Sequence, residues 1–127
     1  MDHQLKFLQL PGHYAILRLA PDAPVPDWAT KGDFNSITRT ADELSIVCRQ
    51  DAVPEGVRCE RGWRCLRVAG TLDFSLVGVL ASLLVPLAKA GVSVFAVSTF
   101  DTDYLLVKEA DLERTVAALQ AAGHGVS

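Results

Sequence analysis

The sequence lacks the residue patterns that mark most classes of enzyme and secreted protein. Its three cysteines are an odd number without a CxxC pair, and its three histidines lie far from them. A disulfide framework and a zinc site are therefore not expected. The sequence also contains no GxGxxG, GxxxxGK(S/T), GxSxG or HExxH motif. Dinucleotide, nucleoside triphosphate, serine hydrolase and zinc protease chemistry lack their usual support, so we expect no cofactor and no metal.

Neither an excess of basic residues nor a long apolar run is present. The 127 residues include 12 Lys and Arg against 15 Asp and Glu, a formal net charge of −3. Proteins that bind nucleic acid usually carry a basic face, so no nucleic-acid partner is expected. The N-terminus lacks the basic start and apolar core of a signal peptide. The longest apolar stretch, residues 76–88, is too short to cross a bilayer. These features favour a cytoplasmic protein without a membrane partner.

The apolar residues of the second half recur with the periods of strands and helices. Half of the chain is hydrophobic, which is enough to form a real core. The pattern predicts these elements in order: a strand at 64–70, a helix between Leu76 and Gly91 that Pro86 kinks, strands at 92–99 and 104–108 that form a hairpin, and a helix from Asp111 that ends before Gly123. This order favours an α+β fold of ferredoxin-like type, with an antiparallel sheet and helices on one face.

The first half contains a fainter copy of this arrangement. Aligning the halves at an offset of 60 residues places Thr38 on Ser98 and Glu43 on Asp103. Both halves then hold a hydroxyl-bearing strand end, an acidic turn and an apolar strand. The copy predicts two tandem units, a degenerate one and a complete one.

The boundaries of these units follow from the composition between them. Before the first of the two hairpin patterns, the proline-rich segment at 21–26 allows only a short turn of helix, because proline disrupts a helix interior. We predict the following organisation: a strand at 14–19, a short helical turn at 24–30, a degenerate N-terminal unit at 1–60, a complete C-terminal unit at 61–127, and a strand at 5–10 as a candidate to complete the sheet of the C-terminal unit.

The loop at 71–75 leads into the predicted helix of the C-terminal unit. The first backbone N–H groups of a helix are unpaired and carry the positive end of its dipole, so a carboxylate is stabilised there without a basic side chain. Ser98, Thr99 and Phe100, at the end of the neighbouring strand, would add hydroxyl and aromatic contacts. A purely structural interpretation stays open, in which the loop only caps the helix.

Charged groups at the two hairpins also have alternative interpretations. Arg39 pairs either with a ligand carboxylate or with Glu43, and the intramolecular pair is favoured. Asp101 and Asp103 form either a paired-carboxylate site or a hydrated turn, and the turn is favoured for Asp101. No nucleophile–base pair or metal cluster accompanies them, so the residues favour small-molecule binding over catalysis.

Two blocks of sequence carry a family resemblance. The phrase VGVLASLLVPLAKAGVSVFAVST and its continuation DTDYLLVKEADLERTVAAL resemble an ACT domain, the amino-acid-binding module found in the regulatory tail of aspartate kinases. The upstream segments HYAILRLAPDAPVPDW, FNSITRTADELSIVC and GWRCLRVAGTLDFS extend the resemblance to stand-alone proteins with two tandem ACT units, similar to the cytosolic arginine sensors of animals. It covers residues 13–119.

The resemblance implies a βαββαβ fold, side-by-side pairing of sheets, and an amino acid bound at an interface between units. The ligand-binding residues that it implies are Asp73, Phe74, Ser75, Val77 and Gly78 in the loop and first helical turn, Ser98, Thr99, Phe100 and Asp103 at the facing strand end, and Thr38, Thr40 and Glu43 from the N-terminal unit.

The function that the resemblance implies is regulatory. It predicts a non-catalytic sensor that binds a small amino acid, forms a homodimer and acts on a regulated enzyme on another chain. Two alternatives remain: an interaction module that has lost its ligand, and an enzyme built on the same scaffold.

Overall fold

The computed structural model describes residues 4–70 and 77–127 as an α+β protein. The elements, in chain order, are β1 (Lys6–Gln9), β2 (Tyr14–Leu19), β3 (Ser36–Arg39), β4 (Leu44–Arg49), β5 (Glu60–Val68), α1 (Val79–Lys89), β6 (Phe95–Ser98), β7 (Asp103–Lys108), α2 (Leu112–Ala121) and β8 (Gly125–Val126). Short 3₁₀ helices lie at Asp27–Thr30, Gln50–Ala52 and Glu109–Asp111. The α+β class predicted from the sequence is confirmed.

The chain forms two compact units. The first unit comprises residues Gly12–Trp63, and the second comprises residues Arg64–Ser127 together with the N-terminal segment up to Pro11. The boundary falls inside β5, so this strand contributes its first residues to one unit and its remaining residues to the other.

The second unit is a mixed sheet covered by two helices. Its strands follow the order β6, β7, β5, β1 and β8, with β1 antiparallel to β5 but parallel to β8. Apolar residues of the sheet pack against α1 and α2 in one core, formed by Phe7, Leu66, Val68, Leu83, Leu87, Val92, Leu105, Val107 and Leu119. Each of these side chains is buried, so the helices cover the sheet face that carries them.

Helix α1 ends in a motif that also sets the start of β6. Gly91 has φ +74°, its N–H donates to Ala88 O (3.1 Å), and the N–H of Val92 donates to Leu87 O (2.9 Å). This is the glycine-dependent C-cap in which the flanking apolar residues also touch. Because Val92 belongs to the cap, β6 begins at Phe95, three residues later than the sequence pattern predicts.

Pro86 lies inside α1, and the helix continues through it to Lys89. Proline has no N–H, so the carbonyl of Ser82, four residues earlier, loses its helical donor. The ring of His124 lies beside that carbonyl, with Nε2 3.1 Å from Ser82 O, while the N–H of Leu5 donates to Nδ1 (3.1 Å). Because Nδ1 accepts, Nε2 carries the proton and donates. The buried His124 thus pairs both with the carbonyl that the proline leaves open and with the backbone beside β1.

Strand β5 contains a bulge at Gly62. Tyr14 of β2 faces Trp63 and Ile16 faces Glu60, so between these pairs one residue of β2 lies opposite two of β5. Gly62 has φ +82°, and its N–H donates to Gln50 Oε1 (2.7 Å). Glycine is the preferred residue at this position of a bulge because it adopts positive φ without strain.

Gly62→Ala is expected to lower the free energy of unfolding by about 1–2 kcal/mol, the cost of left-handed backbone for a residue with a Cβ. A Cβ at Gly62 meets no atom within 4 Å, so the loss isolates backbone strain. Gly125→Ala is the control, because Gly125 does not have a positive φ. A Cβ there would make an ordinary 3.7 Å contact with Lys6 Cγ. Equal denaturation midpoints for the two variants would contradict the assignment.

The first unit is an antiparallel sheet with its own core. Strand β4 lies between β2 and β3, and the 3₁₀ helix at Asp27–Thr30 occupies part of the segment predicted to form a short helical turn. Ala15, Leu17, Ala29, Leu44, Ile46, Cys48 and Val53 form the core. Arg39 donates from its guanidinium to the carbonyl oxygens of Pro21 and Ala23 (2.8 Å to Ala23). Arg39 therefore holds the proline-rich segment in place. These carbonyl partners differ from the two that the sequence suggested, a ligand carboxylate and Glu43.

The two hairpins, β3–β4 and β6–β7, repeat at an offset of 59 residues. Arg39 faces Leu44 in the first, and Ser98 faces Asp103 in the second. Strands β4 and β7 share one burial pattern, and the 3₁₀ helices that follow them, Gln50–Ala52 and Glu109–Asp111, align at the same offset.

The sequence alignment at an offset of 60 residues is therefore wrong by one position. The observed registers relate Thr38 to Val97 and Thr40 to Thr99. Side chains of a strand alternate between faces, so a slip of one residue exchanges the two faces of each hairpin.

Candidate functional site

A threonine closes the turn of each hairpin. Thr99 Oγ1 donates to Thr102 O (2.9 Å) and accepts from the Thr102 N–H (3.2 Å). In the first unit, Thr40 Oγ1 accepts from the N–H groups of Asp42 and Glu43 (3.1 Å each). Such local hydroxyl–backbone bonds stabilise tight turns. Each hydroxyl thus has a structural role that the sequence analysis did not assign.

The turn of the second unit is also tied to the sheet beneath it. Ser98 Oγ donates to Asp103 Oδ1 (2.5 Å) across the hairpin, and Asp103 is buried. Thr102 Oγ1 donates to Val68 O (2.8 Å) in a buried hydrogen bond. These bonds hold the turn beside the end of β5.

Thr102→Val is expected to lower the free energy of unfolding by about 1–2 kcal/mol, because it removes the buried hydrogen bond at nearly constant volume. Chemical denaturation measures the loss. Thr38→Val, at an exposed position of β3, is the matched control and should leave stability nearly unchanged. A loss no larger than in the control would show that Thr102 does not hold the turn.

A polar pocket of about 270 Å³ lies at these strand ends. It is lined by Arg67, Gly70, Thr99, Asp101, Thr102 and Tyr104. Arg67 belongs to β5, Tyr104 belongs to β7, and the threonines come from the turn between β6 and β7. We call it the strand-end pocket.

The strand-end pocket combines one positive and one negative side chain. The Nε atom of Arg67 is buried and has no hydrogen-bond partner within residues 4–70 and 77–127. Asp101 is exposed on the turn. A guanidinium suits a carboxylate, whose two oxygens it binds side by side, and a carboxylate suits an ammonium group. Chemically, the pair complements a small zwitterion.

The predicted site residues fall into four groups, three of which lie within the described residues. Ser98, Thr99, Phe100 and Asp103 lie together at the second hairpin, and Thr99 lines the pocket. Val77 and Gly78 directly precede α1. Thr38, Thr40 and Glu43 lie at the hairpin of the first unit, whereas Asp73, Phe74 and Ser75 lie outside the described residues.

Sequence reasoning missed Arg67 and Tyr104 as pocket residues. The available signal was the alternation of β5, in which Arg67 stands between the buried Leu66 and Val68 and so points to the opposite face. Arg67 is the one charged residue between the buried Cys65 and the end of the strand, which made it the residue to examine.

Two large apolar side chains are exposed, one in the turn between β6 and β7 and one just before α1. Phe100 is 78% exposed and Val77 is 82% exposed. Phe100 therefore does not fill the strand-end pocket.

Cys48 and Cys65 are buried. Burial raises the pKa of the Cys65 thiol to about 12, and burial, with a smaller contribution from Cys59, raises that of Cys48 to about 11. Both are therefore protonated at neutral pH and poor nucleophiles. Within the described part of the chain, no three His, Cys, Asp or Glu residues are grouped to hold a metal ion.

The fold and the pocket define a small α+β module with a polar cavity at the ends of its strands. A family model for the ACT domain matches residues 58–121, half of the chain, and a model for an N-terminal domain matches residues 12–56. The chain belongs to the ACT domain family.

Similar proteins include regulatory and sensor proteins. A segment of 66 residues is 35% identical to the human cytosolic arginine sensor for mTORC1 subunit 1, covering 51% of this chain and 20% of that protein. A crystal structure from Agobacterium tumefaciens is 44% identical with a TM-score of 0.93, covering 99% of this chain and 94% of that one. The ligand-free regulatory subunit of aspartate kinase from Thermus thermophilus has a TM-score of 0.66 at 13% identity, with coverages of 91% and 95%.

No helix within residues 4–70 and 77–127 is both long and apolar enough to cross a bilayer.

Proposed function

We propose that this protein is a non-catalytic regulatory sensor that binds a small amino acid in the strand-end pocket of its second unit. The observation that carries the proposal is the presence of Arg67 and Asp101 in one pocket of about 270 Å³. Their opposite charges match the carboxylate and ammonium groups that every free amino acid carries.

Arg67 is the proposed carboxylate partner, and Asp101 is the proposed partner of the ammonium group. Arg67 is partly buried on β5, so its guanidinium acts in a setting less screened than open water. Thr99 and Thr102 fix the turn that carries Asp101. Such a rigid frame reduces the entropy lost on binding.

The pocket is smaller than the 300–1,000 Å³ typical of sites for drug-sized ligands, which favours a ligand of metabolite size. The arginine-sensor relative makes arginine a natural first candidate. The resemblance places the ligand at an interface between ACT units, and Thr38, Thr40 and Glu43 remain part of that wider proposal, as do Asp73, Phe74 and Ser75.

Binding would act by favouring one state of association over another. The effect is limited by the difference in ligand affinity between those states. In its sheet, β6 pairs with β7, and no second partner strand occurs within residues 4–70 and 77–127, which leaves an edge for pairing with a second copy. We propose a cytosolic homodimer that regulates an enzyme on another chain.

A thermal-shift screen of the twenty amino acids tests the proposal, followed by calorimetry on each hit. A ligand that binds the folded state raises its melting temperature by mass action. We expect stabilisation by at least one amino acid and a dimer content that changes with it in sedimentation. An absence of shift at millimolar concentrations, with no heat of binding, would refute amino-acid sensing.

A ligand-free interaction module is the second candidate. The exposed side chains of Val77 and Phe100 motivate it, because contact surfaces between proteins bury exposed apolar and aromatic groups. Dimerisation that is independent of every amino acid and is lost in Phe100→Ser would support this candidate over a sensor.

A further inference from the structure

A larger pocket lies in the first unit, at the end of β4 away from its hairpin turn. Its volume is about 650 Å³, more than twice that of the strand-end pocket, and it is lined by Gly12, His13, Arg49, Gln50, Asp51, Val53, Glu55, Gly56 and Arg61. We call it the Arg49 pocket. Neither pocket shares a residue with the other, and the hairpin residues Thr38, Thr40 and Glu43 do not line it.

Arg49 is held in a fixed position at this pocket. A Cβ at Gly12 would lie 2.9 Å from Arg49 Nη2, and a Cβ at Gly32 would lie 3.0 Å from Arg49 Cγ. Both glycines have positive φ. Asp51 Oδ2 accepts from Arg49 Nη2 at 3.1 Å, yet 31% of the arginine side chain remains exposed. The guanidinium thus lies against Gly12 on one side and pairs with the Asp51 carboxylate, while Gly32 lies against the methylene stem of the arginine.

The backbone around the pocket is equally well fixed. The N–H of Gln50 donates to His13 O (2.9 Å), and the side-chain oxygen of Gln50 accepts from the N–H of Gly62 at the β5 bulge. Gln50 therefore joins three segments that border the cavity. A rigid polar frame of this kind is typical of a preformed binding site.

The lining carries balanced charge. Arg49 and Arg61 oppose Asp51 and Glu55, and neither Arg61 nor Glu55 forms an ion pair with another described residue. A simple anion would meet two carboxylates there, and a simple cation would meet two guanidinium groups. A molecule that bears both charges satisfies both sets.

We propose that the Arg49 pocket is a second ligand site, which takes a zwitterion with separate carboxylate and ammonium groups. Its carboxylate is bound by Arg49 and Arg61, and its ammonium group is bound by Glu55 beside Asp51. The volume admits a long amino acid or a dipeptide, which share this chemistry. The two pockets lie in different units and share no residue, so each can be tested with the lining of the other altered.

An NMR titration of the full chain tests the site through the backbone amides of Gly12, Gln50, Gly56 and Gly62. The probes are the twenty amino acids and their glycyl dipeptides, with N-acetylated and C-amidated forms as single-charge analogues. We expect saturable shifts of these amides with at least one zwitterion, in wild type and in Arg67→Gln alike. The singly charged forms should bind about 10-fold or more weakly.

Variants of exposed side chains separate the site from general charge effects. Arg61→Gln and Glu55→Gln should each weaken binding about 10-fold, whereas Arg58→Gln, an exposed arginine outside the lining, should change it less than about twofold. Three results would overturn the proposal: no shift with any zwitterion at millimolar concentration, equal shifts with singly charged analogues, or equal affinities in all three variants. Tighter binding of amino acids than of dipeptides, or the reverse, identifies which of the two classes supplies the ligand.

Discussion

His124→Ala is expected to lower the free energy of unfolding by about 2–4 kcal/mol. The substitution removes a buried ring that packs edge-on against Phe7, with ring centroids 5.9 Å apart. It also leaves the N–H of Leu5 and the carbonyl of Ser82 without the ring nitrogens that now pair with them. Chemical denaturation followed by circular dichroism measures the change.

Pro86 supplies the internal control for this interpretation. Pro86→Ala restores a helical N–H for the carbonyl of Ser82, so His124→Ala should cost about 1 kcal/mol less in that background. Gln120→Ala, at an exposed position of α2, should change stability by less than about 0.5 kcal/mol. Strict additivity of the Pro86 and His124 substitutions would contradict the proposed partnership.

Arg67→Gln is expected to weaken amino-acid binding by about 10- to 100-fold, because a bidentate charged hydrogen bond is lost. Asp101→Asn should weaken binding to a similar degree through the ammonium group. The variants should remain folded, since Arg67 and Asp101 form no ion pair among the described residues. Calorimetric titration with the best ligand of the thermal screen measures both affinities.

Arg114→Gln is the matched control for these binding variants. Arg114 is exposed on α2 of the same unit, where its Nη2 lies 2.6 Å from Asp111 Oδ1. Its replacement should leave the affinity within about twofold of wild type. If Arg67→Gln binds as well as Arg114→Gln, the carboxylate partner lies elsewhere.

Much of the fold was predictable because periodicity and turn chemistry agree. The alternation of Leu66 and Val68 with Arg67 in β5 and the helical spacing of Val79, Leu83 and Leu87 each indicate a buried face, and these apolar residues are buried. Element ends were less predictable. Gly91 marked the end of α1, but only the hydrogen bonds show that Val92 belongs to the helix cap and delays β6.

The sites were less predictable than the fold, for two physical reasons. An alignment of the two halves by residue type contains no information on strand pairing, so the offset taken from the sequence was wrong by one residue. The correct offset follows from the observed pairs, Arg39 with Leu44 and Ser98 with Asp103. A pocket also joins residues that are distant in the sequence. Arg67 and Asp101 come together because β7 pairs with β5 and Thr102 bonds to the end of that strand.

The amide resonances of Gly70, Thr99, Asp101 and Thr102 give the most direct test of the central claim, that the strand-end pocket binds a free amino acid. An NMR titration of the wild-type chain with each of the twenty amino acids follows them. We expect saturable shifts at these four positions with at least one amino acid, and their loss in Arg67→Gln. If no amino acid shifts them at millimolar concentration, or if the shifts persist unchanged in Arg67→Gln, the strand-end pocket does not bind a free amino acid through Arg67.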